Sequence, residues 1–339
     1  MPGIRIPQEL LARGRRGRRA LAAGVAALLV FCGLSNVVGA QSAFPSRQLR
    51  IIIPFTAGGT NDILARLIAP RLGEALGQSV VVDNRPGGNT VIASQALLAA
   101  ERDGHTLLLP GNSHVLVPHL SKAPLPFHSV NDFVPVASLA RTGLFLVVGP
   151  SVNAPTLAEF IAQARARPGA LNSAAPGGSI NQLATEIFNG LAGVKLLHIP
   201  YKGSAPAVVD VMGGQADLSF QTPATVIGNV RAGKLRALAI SGDAPFADPR
   251  VPTFTQAGLA GFDVGLWFGL LAPGGTPRAA IDRLNTEIGR IIAAPEFRER
   301  IAAQGLEVLV STPEQYGAML KAEHDRFARV VKAAGIVPE

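Results

Sequence analysis

Leu49-Arg50-Ile51-Ile52-Ile53-Pro54-Phe55-Thr56-Ala57-Gly58-Gly59-Thr60-Asn61-Asp62 is the stretch on which the reading of the chain turns. Its first five residues are apolar apart from Arg50 and rich in branched side chains, the composition of a buried strand. Pro54 stops the strand and Gly58-Gly59 supply a tight turn. Residues 61–76 then place Ile63, Leu64, Leu67, Ile68, Leu72 and Leu76 on one helical face, and Pro70 is expected to kink or break that helix near its middle. A strand passed through a glycine turn into a helix leaves unpaired backbone N–H groups at the helix start, and these suit an anion.

The device recurs. Gly177-Gly178-Ser179 follows the run Asn172-Ser173-Ala174-Ala175-Pro176 and precedes a helical pattern, and Tyr201-Lys202-Gly203-Ser204 precedes another. One glycine turn is ordinary in any α/β protein. Two at matched places in two halves favour a shared cleft beyond the carboxyl ends of the strands, where ligands of open α/β sheets sit. Strands are expected at 79–82, 106–109, 144–148, 171–174, 195–199, 217–220, 235–240 and 266–271. Helices are expected at 91–100, 156–167, 179–191 and 205–212, with another ending near Gly233. Thr156 and Glu159 form a capping box, and Thr276-Pro277 and Thr312-Pro313 mark two later helix starts. The alternation predicts an α/β protein of two lobes with mostly parallel sheets and a cleft between them. Residues 44–145 with 266–339 are expected to form a discontinuous first lobe, and 146–265 the second.

The 339 residues are 48% hydrophobic, enough for two cores, and only 16% charged, which excludes a disordered polyelectrolyte. The net charge of +8 is concentrated at the start: six Arg and one Glu in residues 1–40 contribute +5, leaving +3 for the remainder. No stripe of Lys and Arg interleaved with aromatics occurs in that remainder, so no nucleic-acid partner is expected. A basic cluster at 13–19, an uncharged run at 20–40 and the small residues Val38-Gly39-Ala40 read as a signal peptide over 1–40, with cleavage after Ala40 or after Ala43. The competing reading is a membrane anchor, since the uncharged run is long enough to span a bilayer. Arg18-Arg19 faintly resembles a twin-arginine signal, so the export route stays open. Cys32, the single cysteine, lies in this leader. A mature chain without it has no disulfide, no cysteine nucleophile and no cysteine metal site.

Catalytic signatures are missing. Gly228-Asn229-Val230-Arg231-Ala232-Gly233-Lys234 has phosphate-loop spacing, but Leu235 stands where Ser or Thr must be, and the segment runs from helix to strand. Neither G-x-S-x-G nor H-E-x-x-H occurs, and no two of the six His are three or four residues apart. A hydrolase built on Ser179 or Ser204 has no evident base. The chain is therefore read as a non-enzyme without metal or cofactor. Its natural guest is a small carboxylate, to which several charge-assisted hydrogen bonds of about 1.5–3 kcal/mol each could supply most of the ~8 kcal/mol of micromolar binding. Lys202 could help to neutralise the guest. Gly59→Val is expected to abolish binding and leave the fold intact.

Several further segments complete the pattern: Asp83-Asn84-Arg85-Pro86-Gly87-Gly88, Asp103-Gly104-His105-Thr106-Leu107, Ile199-Pro200-Tyr201-Lys202-Gly203, Gly213-Gly214-Gln215-Ala216-Asp217, Gly233-Lys234-Leu235-Arg236-Ala237-Leu238-Ala239, Trp267-Phe268-Gly269 and Ala272-Pro273-Gly274-Gly275-Thr276-Pro277. In this order, with the opening stretch, the chain resembles the extracytoplasmic solute receptors of tripartite tricarboxylate transporters, the Bug-type family, over about 44–336. The resemblance implies a periplasmic, Venus-flytrap, type II-like receptor. Such a receptor holds one organic acid, amino acid or aromatic acid by backbone amides and passes it to membrane transporter subunits. A sensor protein is the alternative partner. The resemblance points to Phe55, Thr56, Ala57, Gly58, Gly59, Thr60 and Asp62 in the first loop, to Asn112 and Ser113 with His114 in the next, and to Gly178 and Ser179 in the second lobe. Tyr201, Phe220 and Gln221 are the implied cleft walls. Ala57 stands where the family usually has Pro, and Gln182 where it often has His, so the ligand of any one relative does not carry over.

Overall fold

A computed structural model of the chain describes residues 44–242, 248–333, 335–336 and 338. The expected signal peptide, with Cys32 and both expected cleavage points, lies outside the described residues. Among those described, no helix is long and apolar enough to cross a membrane.

The opening stretch folds as its pattern dictates. β1 (Leu49–Ile53) buries every residue but Arg50 and pairs in parallel with β2 (Val80–Asn84) on one side and β3 (Thr106–Leu108) on the other. α1 (Thr60–Leu76) runs unbroken through Pro70. Pro70 is exposed, so the Arg66 carbonyl that its missing N–H would have met faces water, and the expected break does not occur. α2 (Val91–Leu98) links β2 to β3. Four elements were absent from the sequence reading, a helix at 295–302 and a strand at 307–308 among them, and the other two lie here. α3 (Ser113–Leu120) contains Pro118, and β4 (Phe133–Gly143) is eleven residues long with Pro135 inside it.

Beyond β4 the second sheet begins with β5 (Phe145–Val148). It continues through α4 (Leu157–Ala166), β6 (Asn172–Pro176), α5 (Ile180–Ala192), β7 (Leu197–Tyr201), α6 (Ser204–Met212), β8 (Leu218–Gln221), α7 (Pro223–Arg231) and β9 (Arg236–Ile240). The capping box exists: Thr156 Oγ1 accepts the Glu159 N–H at 3.2 Å and opens α4. The chain then returns to the first sheet as β10 (Gly265–Pro273), followed by α8 (Arg278–Ala293), α9 (Pro295–Ala302), β11 (Glu307–Val308) and α10 (Pro313–Ala333).

The strand orders are β11-β4-β10-β3-β1-β2 and β7-β6-β8-β5-β9. Parallel pairing holds for β1 with its two neighbours and for β6 with its two. The remaining pairs are antiparallel, because β4, β5 and β10 carry the chain between sheets and run against their neighbours. The architecture is therefore two-lobed α/β with mixed sheets rather than mostly parallel ones.

Leu144 alone separates β4 from β5, and buried Ser241, one residue past β9, fastens that crossing. Its N–H donates to Leu144 O at 2.9 Å, its hydroxyl accepts the Leu144 N–H at 2.7 Å, and the same hydroxyl donates to Val264 O just before β10. Gly143 is required here: a Cβ on it would stand 2.2 Å from Ser241 O. Both sheets belong to one compact unit, Pro45–Glu339.

Candidate functional site

Helix starts gather where the two sheets' strand ends face each other. A cavity of about 30 Å³ lies there, lined by Phe55, Gly59, Thr60 and Asn61, by Pro110 to Ser113, by Pro176, Asn181, Ser204 and Thr222, and by Leu266 and Phe268. That is room for about two or three water molecules at most, so the contacts between the lobes must ease when an organic acid is held. No lining side chain is charged. Five helices begin at this cavity: α1 at Gly59-Thr60, α3 at Asn112-Ser113, α5 through Asn181, α6 at Ser204 and α7 at its N-cap Thr222. Each helix N-terminus presents orphan N–H groups and a partial positive charge of about half a unit.

The two principal turns share one plan. Gly58 and Gly178 adopt left-handed φ of +84° and +65°. In each turn a side chain four residues on accepts that glycine's N–H: Asp62 Oδ2 at 3.0 Å from Gly58, and Gln182 Oε1 at 2.8 Å from Gly178. Three residues on, an asparagine ties the loop to a neighbouring strand end. Asn61 Nδ2 donates to Leu109 O at 2.9 Å and Asn181 Nδ2 to Phe220 O at 2.5 Å. Burial alone would raise the Asp62 carboxyl, but Arg66, bonded to both of its oxygens at 3.0 Å, and the Gly58 amide hold it below its ordinary 3.8. Asn84 of the Asp83–Gly88 motif completes the frame by donating to Phe55 O at 3.1 Å.

The lobes close on each other around this cavity. The Thr60 and Thr222 hydroxyls are hydrogen-bonded, and the Ile180 N–H points to Ser113 Oγ at 3.4 Å. Gly203 lies so close to Thr56 that a Cβ on it would stand 2.1 Å from Thr56 Oγ1, and a Cβ on Gly178 would stand 2.6 Å from Asn89 Cβ.

Of the residues singled out from sequence, Phe55, Gly59, Thr60, Asn112 and Ser113 line the cavity together. Thr56, Ala57, Gly58, Asp62, Gly178 and Ser179 frame it without lining it. Thr56 backs Gly203, Ala57 and Gly58 are exposed, and the amides of Gly58 and Gly178 are already engaged. Asp62 is committed to Arg66 and Gly58, so it has no free oxygen for a ligand amine. Ser179 caps α5, accepting the Gln182 N–H and donating to Pro176 O. Tyr201 and Lys202 border an adjoining crevice of about 240 Å³ that shares Phe55 and Pro176 with the cavity. The Tyr201 phenol, pushed up to about 12 by burial and by Asp210, donates to Asp210 Oδ2 at 2.6 Å.

Three expectations are corrected. Phe220 is not a cleft wall, because it pairs across the sheet with Leu146 on the face that packs Phe188, Phe254 and Phe262. Gln221 is fully buried and donates to Ser219 Oγ at 2.8 Å. His114 turns away from the cavity and packs against Phe127 and Phe133, and burial pushes its imidazole down to about 4, so it is neutral. The sequence reading missed Asn61, Asn181, Ser204, Thr222, Leu266 and Phe268. The repeated spacing Gly58-x-x-Asn61 and Gly178-x-x-Asn181 was the signal available for the first two. Gly59 has room for a side chain, its nearest neighbour being Thr56 O at 3.7 Å from an added Cβ, so valine there fills the cavity without breaking the turn.

A larger groove of about 560 Å³ lies beside the crossing strands and is bordered by Trp267, Arg141, Glu307, Glu323 and Arg326. Its arginines are bonded to its glutamates, Arg141 to Glu307 at 2.9 Å and Arg326 to Glu323 at 2.6 Å. Trp267 packs edge-on against Tyr316 and donates to Glu323, away from the cavity. A groove of about 670 Å³ lies at the far end of the second lobe, around Lys234 and Arg250. Size would favour these grooves, but of the three, among the described residues, the small cavity is the one that gathers helix N-termini from both lobes.

Two α/β lobes joined by short crossings, closed on an uncharged, donor-rich cavity, define a solute-binding protein rather than an enzyme. The chain belongs to the tripartite tricarboxylate transporter family receptor (TctC) family, whose model matches residues 64–336. BugT of Bordetella pertussis (strain Tohama I) is 38% identical over 321 residues, covering 93% of this chain and 97% of BugT. Among solved structures, the R. palustris protein Rpa4515 with adipate is 33% identical with a TM-score of 0.84, covering 87% of this chain and 100% of that one. MatC from Rhodopseudomonas palustris with bound malate is 30% identical with a TM-score of 0.80, covering 85% and 100%. The chain is thus a periplasmic solute-binding receptor of this family.

Proposed function

We propose that this receptor captures a small organic acid in the cavity between its lobes, holds the carboxylate by main-chain N–H groups and hands it to a tripartite-type membrane transporter. The observation that carries this reading is the meeting of five helix N-termini at a lining without a charged side chain. Five half-charges sum to roughly two and a half positive charges, which favours a dianion over a monoanion. The adipate and malate held by two relatives are dicarboxylates, in keeping with that preference. Binding proceeds by hinge motion: the lobes, 44–145 with 266–339 and 146–265, part at Leu144, Ser241 and Val264, and ligand bridging both shifts the population toward the closed form. The leader over 1–40 serves export and is removed.

A thermal-shift screen of mono-, di- and tricarboxylates against the folded mature chain tests this. Ligand that binds only the native state raises the melting temperature, by an amount that grows with concentration. A dose-dependent rise with dicarboxylates is expected, and no rise across the panel would contradict the reading.

A further inference from the structure

We propose that the solute carries, beside its carboxylate, a hydroxyl or ammonium group that donates to a triad of asparagine oxygens, those of Asn61, Asn112 and Asn181, a hydroxyl to one of them and an ammonium to as many as three. This rests on the cavity being the anion site. All three residues line it. Each spends its Nδ2 on a main-chain carbonyl: Asn61 on Leu109 O at 2.9 Å, Asn112 on Gly265 O at 3.0 Å, Asn181 on Phe220 O at 2.5 Å. A carbonyl only accepts, so the amide nitrogen must face it, and the orientation of all three amides is fixed by chemistry.

The consequence is that each Oδ1 is left over. No described residue donates to any of the three. For Asn112 the point is sharpest, because its side chain is fully buried and its Oδ1 has neither solvent nor partner. Buried acceptors in native proteins are nearly always paired, so the Asn112 oxygen of this cavity residue calls for a donor. The triad spans both lobes: Asn61 begins α1, Asn112 caps α3 and Asn181 begins α5.

The cavity therefore offers two complementary sets of groups. The helix N-termini supply donors for a carboxylate, and the asparagines supply acceptors that an ionised carboxylate cannot satisfy. A plain diacid meets the first set and leaves the second unpaired. An amino acid of the same length meets both, and a hydroxy acid meets the first set and one of the three acceptors. Sites built to hydrogen-bond a substituent discriminate strongly against the analogue lacking it.

Calorimetric titration of the wild-type mature chain with matched pairs tests the triad: malonate and tartronate, succinate and malate, glutarate and 2-hydroxyglutarate, adipate and 2-hydroxyadipate. Aspartate and glutamate distinguish an ammonium donor from a hydroxyl. At the best-fitting length the substituted acid is expected to bind at least about tenfold tighter than the plain one. Asn112→Leu is expected to bring that ratio within about twofold, whatever its effect on the affinity common to both members. Equal affinities for both members of every pair overturn the proposal, and the wild-type comparison suffices if Asn112→Leu does not fold. Equal losses for both members in a folded Asn112→Leu overturn the role of Asn112. No binding of any acid, plain or substituted, overturns the cleft reading itself.

Discussion

In the first lobe the amide of Gly58 donates to the Asp62 carboxylate four residues on, and in the second the amide of Gly178 donates to the Gln182 side-chain oxygen, also four residues on. The turns match in glycine conformation, in the asparagine that ties each to a strand end, and in their place at the cavity. They differ in charge, and the next helical turn accounts for it. Four residues beyond Asp62 stands Arg66, which pairs with it, whereas four residues beyond Gln182 stands Glu186, which would repel a carboxylate. The position requires an acceptor, and a charge is supported only where a cation offsets it. The first loop's lock can therefore titrate, and the second loop's cannot.

The largest expected effect comes from preventing the two loops' surroundings from meeting. Gly203→Val puts a branched side chain where Thr56 must lie, and Gly178→Ala adds a Cβ in a left-handed residue that already touches Asn89. Calorimetry should show carboxylate affinity reduced by about a hundredfold or more for each. Wild-type affinity in either would mean that the ligand-bound lobes do not approach in this way.

Gln182→Glu makes the second lock resemble the first without its arginine. The added charge faces both Glu186 and the bound anion, so affinity at neutral pH should fall by about tenfold and recover toward wild type below about pH 5, as the new carboxyl protonates. An unchanged affinity at neutral pH would show that the lock lies outside the reach of the ligand's charge.

Asp62→Asn makes the converse change. Because the native Asp62 carboxyl lies below its ordinary 3.8, its contribution to stability is complete above that value and is lost as pH falls through the depressed native value. The melting-temperature gap between wild type and variant should hold constant above about pH 5 and shrink toward pH 3. Affinity should fall by only about threefold, since Asn still offers Gly58 an acceptor. A gap that widens on acidification would reverse the sign of the linkage. The smallest effect on binding is expected at Phe220→Leu, which should lower stability by about 1–2 kcal/mol in denaturant titrations and leave affinity within about twofold.

The strand–glycine–helix units were legible because each is written locally: an apolar run, a glycine pair, then a 3.6-residue period. β4 was not, because Pro135 and the small residues Ala137, Ser138 and Ala140 hide a strand whose identity comes from pairing with β10, far along the chain. α3 was hidden by Pro118. Around the cavity, Phe55 to Thr60 and Asn112-Ser113 could be found from loop position. The facing of β8 could not, since a one-residue change of phase decides whether Phe220 meets the cleft or the aromatic core. Asn61 and Asn181 are legible only in retrospect, because their acceptors, Leu109 O and Phe220 O, lie 48 and 39 residues away.

The central claim, that main-chain N–H groups at helix starts from both lobes grip an anion, is tested most directly by titrating one dicarboxylate and its diamide into the mature chain in the calorimeter. The two have nearly the same shape, and only the acid carries charge. The account predicts one acid bound per chain with micromolar affinity and a diamide at least about a hundredfold weaker. Equal binding of acid and diamide would contradict it.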